Sequence, residues 1–156
     1  MLKIKRLVEI DTMNRFFFFA IALVVGFVTS QAFAANETKI DNITAETLKK
    51  MHDDSAHFLL IDARRTEDFT KEHIEGAISL PATDVNSKTL DEIAPDNKTK
   101  LVFYCQNLKC QASHIAASKA LGAGYKYIYE FNGGIEAWKE HGYATESSKA
   151  TEAKTK

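Results

Sequence analysis

The sequence predicts an α/β domain: a parallel central sheet of about five strands with helices on both faces. Apolar, strand-like runs alternate with helix-like segments along residues 39–141, the order that builds parallel sheets from strand–helix–strand units. The runs at 58–61 and 101–104 are continuously apolar, which suits strands buried on both faces. The span is about 110 residues, enough for one hydrophobic core and too short for two.

Taken in order, residues 39–42 read as a short edge strand. Thr44 is a fitting N-cap for a helix over 45–52, where Leu48 and Met51 lie three apart and face one side. The run at 58–61 ends in Asp62 and reads as a central strand. Thr66 caps a short helix reaching Glu72, Gly76 breaks the chain, and 77–80 before Pro81 makes a third strand. Val85, Leu90 and Ile93 are spaced for a helix over 83–93, and Pro95 and Asn97 make a turn.

The strand at 101–104 follows, and Cys105 stands where it stops. Six residues later an Ala-rich segment begins, with Ile115, Ala116 and Ala120 on one face and Gly122 and Gly124 to end it. Residues 127–131 make the fifth strand and 132–134 a turn. The last short helix, 135–141, carries the only tryptophan, Trp138. From Thr145 the chain is small and polar, so residues 145–156 are expected to be a disordered tail. The domain then spans 36–144.

The amino-terminal residues 1–34 read as a secretory signal peptide. Residues 16–28 are an apolar run of 13 without a charge, Arg15 precedes it, and Ala32-Phe-Ala34 is a small-x-small cleavage signal. The run is short for a membrane span. Met13-Asn-Arg15 makes a normal short leader, so Met13 is a candidate start. The expected destination is the periplasm, with cleavage after Ala34 and no stable membrane association afterwards.

Losing residues 1–34 removes four cations and two acidic groups and moves the net charge from −1 to −3. A weakly acidic domain argues against nucleic acid as partner, and no Lys/Arg cluster suggests anionic lipid. The two cysteines are five positions apart, too few for a disulfide-built scaffold. None of the five histidines completes a zinc pattern with them. No metal or cofactor is expected.

Cys105 therefore sits in a loop between a strand end and a helix amino terminus. Unpaired amides there make an anion site, and the helix dipole favours a thiolate, which predicts a pKa below that of a free thiol. A nucleophilic cysteine fits this placement, and so does an inert core cysteine. Arg64 and Asp68, four apart, suggest a local ion pair. Asp62 either holds the loop or tunes the site. His73 reads as a hydrogen-bonded packing residue, and Trp138 as core.

Leu60-Ile-Asp-Ala-Arg64, Asp68-Phe69, His73-Ile-Glu-Gly-Ala-Ile78, Tyr104-Cys105 and Gly133-Gly134-Ile-Glu-Ala-Trp138 together resemble the rhodanese family of sulfurtransferases in order and spacing. The resemblance runs from about Ile40 to His141 and implies the same α/β fold. It implies that Cys105 is the nucleophile that carries a persulfide. It also implies that the backbone amides of Gln106, Asn107, Leu108, Lys109 and Cys110 hold the transferred sulfur and its donor; Asp62 and Arg64, at the end of the strand at 58–61, are candidates for supporting the site. The partners it implies are a small anionic sulfur donor and a thiol or cyanide-like acceptor. Many loops of the family contain an arginine or a glycine; this one has neither, and Lys109, a point charge, is its only cation.

Two other readings stay open at this stage. Cys105 and Cys110 form a reversible redox pair, or the domain binds without turning over. A cysteine phosphatase is set aside, because its arginine after five intervening residues is Gln111 here.

Overall fold

A computed structural model describes residues 39–148. The apolar run at 16–28, the cleavage signal after it and the tail beyond Ser148 lie outside the described residues.

The elements are β1 (Ile40–Asn42), α1 (Ala45–Asp53), β2 (Leu59–Asp62), α2 (Thr66–Lys71), β3 (His73–Ile74), β4 (Ile78–Ser79), α3 (Ser87–Ile93), β5 (Lys100–Tyr104), α4 (Ala112–Gly122), β6 (Tyr127–Phe131), α5 (Gly134–Glu140) and β7 (Thr145–Glu146). Five strands form one sheet in the order β1-β6-β5-β2-β4, and every pairing in it is parallel. The α/β architecture expected from the alternating runs is the one observed.

β5 lies at the centre, and Leu101, Val102, Phe103 and Tyr104 are all fully buried. Its alternate side chains feed two cores, as a strand's period of two requires. Val102 and Tyr104 join Leu60, Leu48 and Trp138 under α1 and α5. Leu101 and Phe103 join Ile61, Leu90 and Ala116 under α3 and α4. A strand covered on both faces leaves no polar position, which is why its sequence is a continuous apolar run.

Local chemistry shifts several boundaries. Thr44 caps α1 as expected, its Oγ1 accepting from the Thr47 amide at 3.3 Å. α2 starts at Thr66 itself, with Arg65 before it making no side-chain cap. α3 begins four residues later than the apolar spacing suggests, because Asn86 and Thr89 form a reciprocal capping box at 3.2 and 3.0 Å.

The tail expectation needs correcting at its first residues. Thr145 and Glu146 form β7 and pair antiparallel with β3, a two-residue strand the sequence did not announce. Specific partners outweigh the polar composition there. The Gly76 amide donates to Glu146 Oε1 at 3.0 Å, and Thr145 Oγ1 donates to Glu72 Oε1 at 3.1 Å.

Candidate active site

Cys105 follows β5 directly and is fully buried. The carboxyl ends of parallel strands are where ligands meet such sheets, and β5 is the central strand, so the thiol stands mid-edge. The loop after it is fastened to α5. Ile135 N–H donates to the Cys105 carbonyl at 3.0 Å, and Glu136 N–H to the Gln106 carbonyl at 3.1 Å. This close approach needs Gly134, which has φ +65°, and a β-carbon there would stand 2.5 Å from the Cys105 carbonyl oxygen.

Glu136 also clamps the loop from its side chain. Gln106 Nε2 donates to Oε1 at 2.9 Å and Asn107 Nδ2 to Oε2 at 2.8 Å. These two donors hold the exposed Glu136 carboxyl below its usual pKa. The other side of Gln106 is held by Arg64, whose Nη1 donates to Gln106 Oε1 at 3.0 Å.

Arg64 is itself fixed by Asp62. Nε donates to Oδ1 at 3.0 Å and Nη2 to Oδ2 at 2.6 Å, and Asp62 is fully buried. Burial opposes the charge on Arg64, but the hydrogen bonds and charge of Asp62 outweigh it and keep the guanidinium pKa above its ordinary value. The expected Arg64–Asp68 pair is therefore corrected: Arg64 pairs with Asp62, and Asp68 pairs with Arg65 at 3.2 Å. Arg64 precedes the helix that starts at Thr66, so helical i,i+4 spacing does not apply to it. Asp62 thus acts by holding the turn and, through Arg64 and Gln106, the loop.

The sulfur has a mixed environment. Cys105 Sγ lies 3.3 Å from the Cys110 carbonyl, 3.8 Å from the Asn107 carbonyl and 3.3 Å from Ser113 Oγ. Burial pushes the thiol pKa up and the Cys110 side chain adds to the rise, while the Ser113 hydroxyl and amide pull it part of the way back. The direction is opposite to the lowered pKa expected from the helix amino terminus. Carbonyl oxygens facing the sulfur favour S–H over a thiolate. Within the loop, the Lys109 amide donates to Asn107 Oδ1 at 3.1 Å and the Cys110 amide to the Asn107 carbonyl at 3.0 Å, so those two amides are committed inside the loop. Leu108 is exposed at the loop's tip.

Both cysteines are free thiols, and Cys110 is half-buried. Cys110, Gln106, Arg64, Arg65, Pro81 and Thr83 are among the residues lining a cleft of ≈400 Å³ beside the loop. His73 packs as expected, stacked on Phe69 at 3.7 Å with Nδ1 2.8 Å from the Phe69 carbonyl. Trp138 is buried core.

The roles of four residues escaped the sequence reading, although Tyr104 and Glu136 stand within the motifs that carry the resemblance. Glu136 clamps the loop. Tyr104 Oη accepts from the Ile74 amide at 3.1 Å and donates to Asp62 at 2.8 Å. Ser113 and Glu130 form a buried pair behind the sulfur, with Ser113 Oγ donating to Glu130 Oε1 at 2.8 Å. For Glu130 the available signal was a glutamate inside an otherwise apolar five-residue strand.

The fold and site together are a parallel α/β domain with a buried cysteine at the end of its central strand, under an anchored loop and beside a cleft. The family model described as Rhodanese-like domain matches residues 44–141, and the chain belongs to that family, which includes thiosulfate sulfurtransferases. The Synechocystis protein slr1261 is 34% identical over 107 residues, which cover 69% of this chain. The chain spans about half, 56%, of that relative's length. The thiosulfate sulfurtransferase GlpE of Coxiella burnetii is 26% identical over 111 residues, covering 71% of this chain and 95% of GlpE. In fold, the chain is similar to the rhodanese-like domain of Anabaena Alr3790, with a TM-score of 0.61 at 24% identity over 70% of this chain and 80% of that one.

Proposed function

We propose that this chain is a sulfurtransferase that moves a sulfane sulfur through a persulfide on Cys105. The observation that carries the reading is the position of Cys105. It is the buried end of the central strand, beneath a loop tied down by Arg64 and Glu136, with a cleft alongside. In the proposed cycle the Cys105 thiolate attacks the outer sulfur of an anionic donor such as thiosulfate. The new S–S bond forms as the donor's breaks, and sulfite leaves with the electron pair. A thiol or cyanide-like acceptor then takes the outer sulfur and regenerates the thiolate. The donor's charge is met in this reading by Arg65, the exposed cation lining the cleft, since Arg64 is committed to Asp62.

Mass spectrometry of the protein after incubation with thiosulfate tests this. The peptide carrying Cys105 should gain the mass of one sulfur atom and lose it on addition of cyanide. No gain, or a loss of two hydrogens linking Cys105 to Cys110, would overturn the persulfide reading.

The same reading places the protein outside the cytoplasm, in the periplasm, after removal of residues 1–34. Its support is the uncharged 13-residue apolar run followed by Ala32-Phe-Ala34. Amino-terminal sequencing from the native host should begin at Ala35, and intact Met1 or Met13 in a soluble cytoplasmic fraction would sink it.

A further inference from the structure

A buried thiol with a raised pKa needs somewhere to send its proton, and the loop that covers it offers carbonyls and amides, none of which can accept one. Behind the sulfur the situation differs. Ser113 Oγ stands 3.3 Å from Cys105 Sγ and donates its own proton to Glu130 Oε1 at 2.8 Å. With that proton committed to the carboxylate, the oxygen of Ser113 is left to accept from the thiol. Glu130 Oε2 in turn lies 3.2 Å from Nδ1 of His114, whose side chain is 59% exposed, while Glu130 itself is 8% exposed. The four groups form a continuous path from a buried sulfur to solvent.

The geometry points to Glu130 as the proton acceptor for Cys105, acting through Ser113. As the Cys105 proton passes to Ser113 Oγ, the Ser113 proton passes to Glu130 Oε1. The products are a thiolate at Sγ, an unchanged hydroxyl at Ser113 and a neutral carboxyl at Glu130, so charge and protons balance. Glu130 can then return the proton to water by way of His114. Glu130 is thus a positioning residue for the nucleophile, and this role rests on Cys105 being the reacting group proposed above.

The surroundings leave few competing groups. The register partners of Glu130 are Asn42 on β1 and Phe103 on β5, neither of which titrates. From α4 its hydrogen-bond partners are Ser113 and His114. On the loop side Cys105 meets Cys110, and the charges of Arg64 and Glu136 reach it only through the side chains of Gln106 and Asn107. A buried carboxylate costs free energy unless it is well hydrogen-bonded, and here Ser113 leads towards the nucleophile and His114 towards water.

The test is the rate of iodoacetamide alkylation at Cys105, followed by peptide mass spectrometry on the full chain as a function of pH. Glu130→Gln keeps the shape and an acceptor for Ser113 but cannot take a proton. It should slow alkylation at neutral pH by about a hundredfold, the low end of what a positioned proton acceptor contributes, without moving the midpoint upward. Ser113→Ala breaks the same chain at its other link and should slow alkylation at neutral pH by a similar factor. The double variant should be no slower than Ser113→Ala alone. If Glu130 were only a negative neighbour of the sulfur, removing its charge would speed alkylation. Faster alkylation, an unchanged rate at neutral pH in either folded variant, or additive losses in the double would each overturn the proposal. Alkylation needs no sulfur donor, so its result is separate from whether the protein forms a persulfide.

Discussion

Asp62 and Tyr104 stand side by side at the carboxyl ends of β2 and β5, and Tyr104 Oη donates to Asp62 Oδ2 at 2.8 Å. Burial pushes the Tyr104 phenol pKa far up, and the neighbouring Asp62 charge reinforces the rise, so the phenol stays a donor. Asp62 thus receives Tyr104 on one side and Arg64 on the other, with no water-facing atom. This network sets the start of the Cys105 loop, although none of its members touches the sulfur.

Asp62→Asn would leave the Arg64 guanidinium, 8% exposed, without its counter-charge. Removing one member of a buried pair is costly, so the expected loss is about 3 kcal/mol of unfolding free energy. Urea titration would read it as a lower midpoint at unchanged slope. A loss under a few tenths of a kcal/mol would mean that Arg64 finds water instead.

Gly134→Ala combines two penalties. Its φ of +65° is unfavourable for a side chain, and the new β-carbon would meet backbone atoms of Cys105 and Gln106 within 2.6 Å. The conformation alone costs roughly 1–2 kcal/mol, and the clash forces the loop off α5. Sulfur transfer should fall much further than thermal stability does. Equal losses in both would show that the position matters only to folding.

The sequence carried the sheet clearly and the electrostatics of the site poorly, for physical reasons visible in particular residues. Burial on both faces forces a continuous apolar run, so β5 and the place of Cys105 were legible. Glu130 was not, because a single charge in residues 127–131 normally marks a solvent-facing position. Here α4 lies over that face and supplies Ser113 as partner. The Arg64 pairing was misassigned because helical spacing was applied before the helix begins. The lowered Cys105 pKa was inferred from dipole and amides alone, and sequence does not show which way the Cys110 and Asn107 carbonyls turn.

The pH behaviour of Cys105 follows from its raised pKa, whose largest cause is burial. The folded state binds the thiol proton more tightly than the unfolded chain does. Its contribution to stability is therefore fully present below the free-thiol pKa and is lost as pH rises through the higher folded value. In the native protein, the alkylation midpoint should lie above about 8.5, the free-cysteine reference. A midpoint below that reference would restore the helix-dipole expectation.

Cys110 offers the last prediction. It lines the cleft, its carbonyl faces the Cys105 sulfur at 3.3 Å, and its side chain helps to raise the Cys105 pKa. In an oxidising compartment two thiols in one loop are placed to pair, provided their Cα atoms come within roughly 4.4–6.8 Å. Such a bond, strained by the short loop, would be easily reduced and would shield Cys105 from irreversible oxidation. Cys110→Ser should therefore keep sulfur transfer but lose Cys105 faster to sulfinic acid under peroxide, measured by mass spectrometry, whereas Cys105→Ser should abolish transfer. If Cys110→Ser is as inactive as Cys105→Ser while remaining folded, the two cysteines share one redox mechanism and Cys110 is no mere protector.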